Sequence, residues 1–306
     1  MSTVPSYMRW LWVVPLLLVL VHAAMDVVLP EQLIREVDRF GIVPFFESKW
    51  TYAYLHMFSF LPVFLLSFDK KVHYYRKWKY MLPGMFVIAA FFILWDVWFT
   101  WMEVWGFNER YYLDLLIWHL PLEEWLFFIT IPFCCIFIYE CVDAYLPTAF
   151  WQTHQKRITL LLIAFLLFGM LVRWGHIYTV TTFGLTASLL GYHFINGQNS
   201  IGGKFYLSYV ISCIPFFLVN GVLTGSLTEQ PVVMYNPDEY FGLRLGTVPL
   251  DDMVYSMLLL FSNILCYEYV RSIWKKRHVK TGNKAKKILY YESLKSHHEH
   301  MSTEAK

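Results

Sequence analysis

The sequence predicts an all-α integral membrane protein with about eight transmembrane helices in two parallel, pseudosymmetric repeats. Three observations lead to this prediction: the composition, a series of long apolar runs and an internal duplication. Of the 306 residues, 57% are hydrophobic, 20% are aromatic and only 16% are charged, and the mean hydropathy is +0.43. Such a composition is typical of a polytopic membrane protein rather than of a soluble domain.

The apolar runs give the predicted helices in chain order. A helix that crosses a hydrocarbon layer of ~30 Å needs roughly 20 residues. Runs of suitable length lie near residues 10–29, 51–68, 80–99, 121–142, 158–174, 177–195, 205–224 and 249–270. If residues 10–29 are instead a cleaved signal peptide, seven helices remain.

An internal duplication relates the two halves of the chain. The phrase Pro-Leu-acid-acid occurs at 121–124 and again, after a constant offset of 128 residues, at 249–252. The same offset aligns Phe107-Asn108 with Tyr235-Asn236, Tyr112 with Tyr240, and Tyr139-Glu140 with Tyr267-Glu268. Upstream, Asp96 aligns with Asn220 at an offset of 124. Because four helices separate equivalent positions, the repeats should share one orientation and relate by an axis along the membrane normal.

Charge distribution completes the predicted organisation. Basic residues favour the cytoplasmic side of a membrane, and one set of predicted loops contains Lys70, Lys71, Lys156 and Arg157. Both termini are therefore expected in the cytoplasm. The predicted segments are an extra N-terminal span (1–48), a first repeat (49–145), a second repeat (146–274) and a basic tail (275–306), whose His297, His298 and His300 are expected to be solvent-exposed.

The duplicated acids are the candidate functional residues. Acids in the first turn of a helix commonly act only as favourable partners of the helix dipole. However, ionisable groups at a membrane are rare and usually face a cavity or a charged partner. The recurrence of acids at equivalent positions favours a functional site formed by Glu123, Glu124, Asp251, Asp252 and Asp96. A second layer, Glu140 and Glu268, is expected to form ion pairs near Arg157 and Arg271.

Adjacent helical residues point about 100° apart, so only one acid of each pair can face a central cleft.

Aromatic residues precede the first pair: Trp95, Trp98, Trp101, Trp105 and Phe107, and Tyr235 is equivalent to Phe107. Tryptophan near a membrane surface is often only an interfacial anchor. Next to acids, however, aromatic faces can stabilise a carbocation, and the combination suits the protonation of an alkene.

A series of ordered motifs resembles the membrane-integral lycopene cyclases, which occur as two small subunits or as fused domains. The first half carries SFDKK (67–71), YRKW (75–78), WDVWFT (95–100), WGFN (105–108), PLEEWLFF (121–128) and FIYE (137–140). The second half carries NG (220–221), YNP (235–237), LRL (243–245), PLDD (249–252) and YE (267–268). The chain resembles a natural fusion of both halves. Its second acid pair is Asp-Asp, where the family more often has Glu-Asp or Glu-Glu. Asp252 therefore matches the family pattern better than Asp251 does.

The resemblance implies cyclisation of lycopene to γ-carotene and then β-carotene by acid–base catalysis, without a cofactor or metal. Glu124 and Asp252 would transfer protons, and Glu123, Asp251 and Asp96 would tune or orient them. Which acid is the donor stays open. Substrate contacts are expected from Trp95, Trp98, Trp105, Phe107, Asn108, Asn220, Tyr235 and Asn236. The expected surroundings are a bacterial inner membrane, apolar carotenoids, and either a second copy of the chain or other enzymes of the pathway.

Other classes fit less well. A proton-coupled transporter would also use carboxylates and parallel repeats, but it typically has broken helices at mid-depth. A retinal protein needs a lysine within a span, and a prenyltransferase needs spaced aspartates for magnesium. No Gly-x-Gly-x-x-Gly motif for a dinucleotide is present, and nothing in the pattern predicts nucleic-acid binding. The five cysteines have no metal-site spacing.

Overall fold

A computed structural model describes residues 10–25, 39–196 and 199–276. Most of the predicted basic tail, including His297, His298 and His300, lies outside the described residues, as do residues 1–9 and 26–38. Within the described part, eight helices of 16 or more residues follow one another. They are α1 (Trp10–Met25), α2 (Thr51–Leu66), α3 (Trp78–Trp101), α4 (Leu122–Tyr145), α5 (Ala149–Val172), α6 (Ile177–Asn196), α7 (Asn199–Leu223) and α8 (Leu250–Lys276).

Five of these helices are long and apolar enough to cross a membrane: those that contain α3, α4, α5, α7 and α8. Two more apolar stretches, Trp12–Ala23 and Thr51–Leu66, are shorter. The chain is therefore a mostly helical integral membrane protein, and the predicted number of eight spans stays a prediction. Helix α5 begins nine residues before the predicted start, because its first turns carry polar side chains that a hydropathy criterion excludes.

Between the helices of the described residues lie three short two-stranded sheets, which the prediction did not include. Strand β1 (Trp105–Phe107) pairs antiparallel with β4 (Val233–Tyr235). Strands β2 (Leu116–Ile117) and β3 (Leu120–Pro121) form a hairpin before α4, and β5 (Arg244–Leu245) and β6 (Val248–Pro249) form another before α8. These strands of two or three residues are too short to produce an alternating pattern in the sequence.

Every strand of the first half has its equivalent in the second half at the 128-residue offset. In the β1–β4 pair, Trp105 lies opposite Tyr235 and Phe107 lies opposite Val233, with Gly106 and Met234 at the centre. Because Gly106 and Met234 are themselves equivalent positions, the pair has a local two-fold relationship. The two halves therefore meet directly at this ladder.

Close helix packing depends on small residues, as is common among membrane helices. An added Cβ on Gly203 of α7 would lie 2.6 Å from the backbone nitrogen of Gln152 in α5. A Cβ on Gly184 of α6 would lie 2.2 Å from a methyl carbon of Val19 in α1. Helix α1 therefore packs tightly on α6, and α5 packs on α7.

The second layer of acids lies at the end of α4 and α8 opposite the hairpins. The hydroxyl of Tyr139 donates to Glu268 (3.2 Å), and that of Tyr267 donates to Glu140 (2.9 Å), so the two halves exchange equivalent bonds. Arg271 pairs with both glutamates at 3.3 Å, as predicted. The expected pair with Arg157 was wrong, because Lys77 at the start of α3 reaches Glu140 instead.

Candidate active site

A cavity of about 370 Å³ lies between α2, α4, α7 and α8, close to the β1–β4 ladder. We call it the acid cavity, because Asp96, Glu124 and Asp252 line its otherwise largely apolar wall. The three side chains are 2%, 8% and 6% exposed. At its edge, Phe58 and Leu218 are 51% and 69% exposed on the outer surface of the helices. This edge offers an apolar ligand a route from the lipid to the acids.

The hairpins determine which acid of each pair enters the cavity. The carboxylate of Glu123 accepts a 2.8 Å hydrogen bond from the backbone N–H of Leu113, and Asp251 accepts one of 3.0 Å from Phe241. Leu113 and Phe241 are themselves equivalent positions. The first acid of each pair thus fixes the loop before its helix. The second acid, one residue further round the helix, faces the cavity.

Asp252 lies in a strongly polar local environment. Its Oδ1 accepts a 2.7 Å hydrogen bond from Tyr178, and its Oδ2 accepts bonds from Tyr235 (2.7 Å) and Asn220 (2.8 Å). These three donors stabilise the ionised form, since hydrogen bonds to a charged group are stronger than those to a neutral one.

Glu124 and Asp96 have fewer donors. Tyr52 donates to Oε2 of Glu124, and the indole N–H of Trp105 donates a 2.6 Å bond to Oδ1 of Asp96. No group of the described residues hydrogen-bonds Oδ2 of Asp96. The two carboxyl groups line the same cavity. Ionising both in an apolar wall would carry a large electrostatic cost, so the arrangement suits a pair that holds a proton.

Aromatic rings form much of the wall around the acids. The ring centroids of Trp105 and Tyr178 are 5.0 Å apart, and Tyr178 stacks on Tyr235 at 6.2 Å. Tyr255 contacts Trp105 at 6.2 Å, and its hydroxyl has no hydrogen-bond partner among the described residues. Such rings can stabilise a positive charge that develops between them.

Seven of the residues predicted for the site line the acid cavity. They are Asp96, Glu124, Asp252, Trp105, Phe107, Asn220 and Tyr235. The structure places the other six outside its wall: Glu123, Asp251, Trp95, Trp98, Asn108 and Asn236.

Each of those six has another environment. Besides the loop contacts of Glu123 and Asp251, Trp95 packs behind the wall against Tyr255. Trp98 is 37% exposed on α3. Asn108 donates to Gln230, and Asn236 accepts from the N–H of Asp238. Of the six, only Trp95, Trp98, Asn108 and Asn236 were expected to contact substrate, and their closeness to the acids in the motifs does not place them in the wall of the cavity.

Four tyrosines of the cavity were absent from the prediction: Tyr52, Tyr178, Tyr209 and Tyr255. Tyr52 and Tyr178 donate to the equivalent acids Glu124 and Asp252, and they are 126 residues apart. An alignment of α2 with α6 at that offset would have paired them. An alignment of the repeats would not have identified Tyr255, because the equivalent residue of the first half is Phe127 rather than a tyrosine.

Comparison with known protein families identifies two matching regions in the chain. The family model described as lycopene cyclase matches residues 49–142 and again residues 175–270, together more than half of the chain. The chain belongs to the lycopene cyclase family. Family membership makes it an enzyme of carotenoid biosynthesis with carotenoid substrates in a lipid environment. No curated protein sequence and no solved structure matches the chain.

The two matched regions contain both acid pairs and all three acids of the cavity. Residues 10–25, which form α1, lie outside both matches. Within residues 10–25, 39–196 and 199–276, no group of three or more His, Cys, Asp or Glu side chains is arranged to hold a metal ion.

Proposed function

We propose that the protein closes the ends of lycopene into β-rings by acid–base catalysis in the acid cavity, giving γ-carotene and then β-carotene. The observation that carries the proposal is the pair Glu124 and Asp252. Both are buried in one apolar cavity that borders the lipid, but their hydrogen-bond environments differ. Environments that separate two carboxyl groups into a protonated and an ionised one are typical of acid–base catalysis.

The layout of the cavity supports one ring closure at a time. The acids lie among buried aromatic rings, whereas Phe58 and Leu218 at the edge are 51% and 69% exposed. One end of a polyene would therefore reach the acids. The remainder of the chain would extend past Phe58 and Leu218 into the lipid. Closing the second end then requires the substrate to turn round.

The environments favour Glu124 as the proton donor and Asp252 as the base. Glu124, with Asp96 beside it, gives a proton to the terminal alkene, and the next alkene attacks the resulting tertiary cation to form the six-membered ring. Asp252 removes a proton from the ring, which restores a double bond. One proton is added and one is lost, so the product is an isomer of the substrate and no redox partner is needed.

The aromatic wall would stabilise the cation between these two steps. Trp105, Tyr178 and Tyr235 surround the space between the donor and the base. A cation over an aromatic face gains about 0.5–2 kcal/mol per ring, with the larger values for desolvated sites. The hydroxyl groups of Tyr178 and Tyr235 are directed to Asp252, so these two tyrosines would also hold the base in place.

The same proposal includes the predicted layout: eight spans, parallel repeats about an axis along the membrane normal, and both termini in the cytoplasm of a bacterial cell. The local two-fold relationship of β1 and β4 supports the axis. The predicted cytoplasmic residues Lys77, Lys204 and Arg271 lie together near Glu140, which supports the sidedness.

Expression in lycopene-accumulating bacteria tests the function. The wild-type protein should convert lycopene to monocyclic and bicyclic products, whereas Glu124→Gln and Asp252→Asn should leave lycopene at equal protein levels. Glu109→Gln, a change of an exposed loop acid, is the control and should behave as wild type. Unchanged ring formation by Glu124→Gln would refute the assignment, and absence of any cyclised pigment with wild-type protein would refute the function.

A further inference from the structure

A second apolar cavity, of about 350 Å³, lies between α1, α3, α6 and α8. We call it the second groove. Aromatic and aliphatic side chains line most of it, together with two serines. Phe91 and Tyr192 in its wall are 52% and 49% exposed. Trp12 of α1 contacts Tyr192 edge-on at 5.9 Å and partly covers the groove.

The second groove is the repeat-related copy of the lipid-side part of the acid cavity. Leu189 in its wall is equivalent to Val63, since α6 aligns with α2 at the same offset as Tyr178 with Tyr52. Phe92 of α3 is equivalent to Phe216 of α7, and Ser262 of α8 to Cys134 of α4. The second member of every pair lines the acid cavity. Two surfaces with the same framework should therefore accept ligands of the same shape.

Two substitutions between the repeats close the second groove towards the acids. Trp95 occupies the position of Val219, and Tyr255 occupies that of Phe127. The rings of Trp95 and Phe92 each contact Tyr255 at 5.2 Å, which makes a continuous aromatic wall. Among the residues that the structure describes, no carboxyl group lines the second groove. A ligand bound there would be held without being protonated.

We propose that the second groove is a second carotenoid-binding site, which retains a linear or half-cyclised polyene beside the enzyme. The inference depends on the proposed function, because it takes the acid cavity as the site where one polyene end reacts. The aromatic rings of Trp12, Phe91, Phe92 and Tyr192 suit a conjugated chain better than a saturated acyl chain. Retention raises the local concentration of the monocyclic intermediate, so that its second end is closed before it diffuses away.

Carotenoid stoichiometry tests the second site directly. The Glu124→Gln protein, purified in detergent from lycopene-accumulating cells, should carry close to two lycopene molecules per chain. Adding Leu189→Trp fills the second groove and should reduce the load to one. The equivalent change in the other repeat, Val63→Trp, fills the acid cavity instead. The one lycopene molecule that remains should then be bound in the second groove. Ser262→Phe and Cys134→Phe form a second matched pair, and thermal unfolding establishes that each variant is folded.

In the active protein, Leu189→Trp should raise the ratio of released monocyclic to bicyclic pigment at least about threefold without slowing the first ring closure. Val63→Trp should slow the first closure itself. An unchanged lycopene load in both folded second-groove variants, or a phospholipid chain there instead of pigment, would overturn the proposal. Wild-type protein that binds lycopene at both sites but forms no rings would refute the proposed function and leave the second site standing.

Discussion

Asn220 donates a 2.8 Å hydrogen bond to the carboxylate of Asp252, and the equivalent residue of the first half, Asp96, lines the same cavity as Glu124 as an acid rather than an amide. The duplicated framework therefore holds two different carboxyl environments. One half supplies neutral donors that stabilise a charge, and the other supplies a second acid that can share a proton. This difference gives the repeats different roles in a reaction that needs both an acid and a base.

Replacing Asp96 by Asn should therefore impair the reaction although the shape is kept. The new amide would donate to Glu124 as Asn220 does to Asp252, which would stabilise ionised Glu124 and remove its proton. We expect cyclisation to fall by about 10²-fold or more, the lower range for loss of general acid catalysis. The initial rate of ring formation in purified protein measures this. A rate within twofold of wild type would show that Asp96 has no part in proton donation.

The two tyrosine donors should differ in importance. Tyr52 is the side-chain donor to Glu124 seen among the described residues, whereas Asp252 keeps Asn220 and Tyr235 when Tyr178 is changed. Glu124 becomes ionised as it gives up its proton, and the bond from Tyr52 then goes to a charged group, which contributes about 1.5–3 kcal/mol in the transition state. Tyr52→Phe should therefore reduce the rate by roughly 10-fold or more, and Tyr178→Phe should reduce it less. The initial rate of ring formation, measured for both variants at equal protein concentration, tests this prediction. A larger loss for Tyr178→Phe than for Tyr52→Phe would contradict the proposed roles.

Glu140 should matter for stability rather than for chemistry. Its side chain is fully buried, pairs with Lys77 and Arg271, and accepts from Tyr267. Removing one partner of a buried ion pair typically costs about 3–5 kcal/mol. Glu140→Gln should lower the unfolding temperature in detergent and leave the rate per folded molecule unchanged.

The matched control for this change is Glu268→Gln. The side chain of Glu268 is 21% exposed, and exposed ion pairs contribute little. An equal loss of stability in both variants would show that burial of the Glu140 pair is not the cause.

Helix packing gives a further prediction at Gly203. A methyl group there would meet the backbone of Gln152 in α5, which cannot move aside as a flexible side chain could. Overpacking of this kind costs about 1–3 kcal/mol. Gly203→Ala should therefore lower the unfolding temperature, whereas Gly175→Ala, where nothing lies within 4 Å of the added carbon, should not. Equal unfolding temperatures for the two variants would argue against close contact between α5 and α7.

Much of the framework could be predicted from the sequence because long apolar runs and a constant repeat offset are strong signals. The helices α3, α4, α7 and α8 were expected close to where they lie. The pairing of β1 with β4 could not be expected, since strands of three residues carry no periodic pattern. It is this ladder that brings Trp105 and Tyr235 to the cavity.

The acids of the candidate site could be located by their repetition, but their partners could not. Tyr52 and Tyr178 lie in aromatic-rich helices, where a tyrosine resembles an ordinary interfacial anchor. Which acid of each pair faces the cavity depends on the hairpin geometry that engages Glu123 and Asp251 with backbone N–H groups. That information lies in the tertiary contacts rather than in the motif.

Solvent isotope incorporation tests the central claim most directly. When purified protein cyclises lycopene in D₂O, the exchangeable proton of the donor is replaced by deuterium and is transferred to carbon. We predict one deuterium in each β-ring by mass spectrometry, and no ring formation with Glu124→Gln. Cyclised product without deuterium, or labelled product formed equally well by Glu124→Gln, would contradict protonation of the polyene by this carboxyl group.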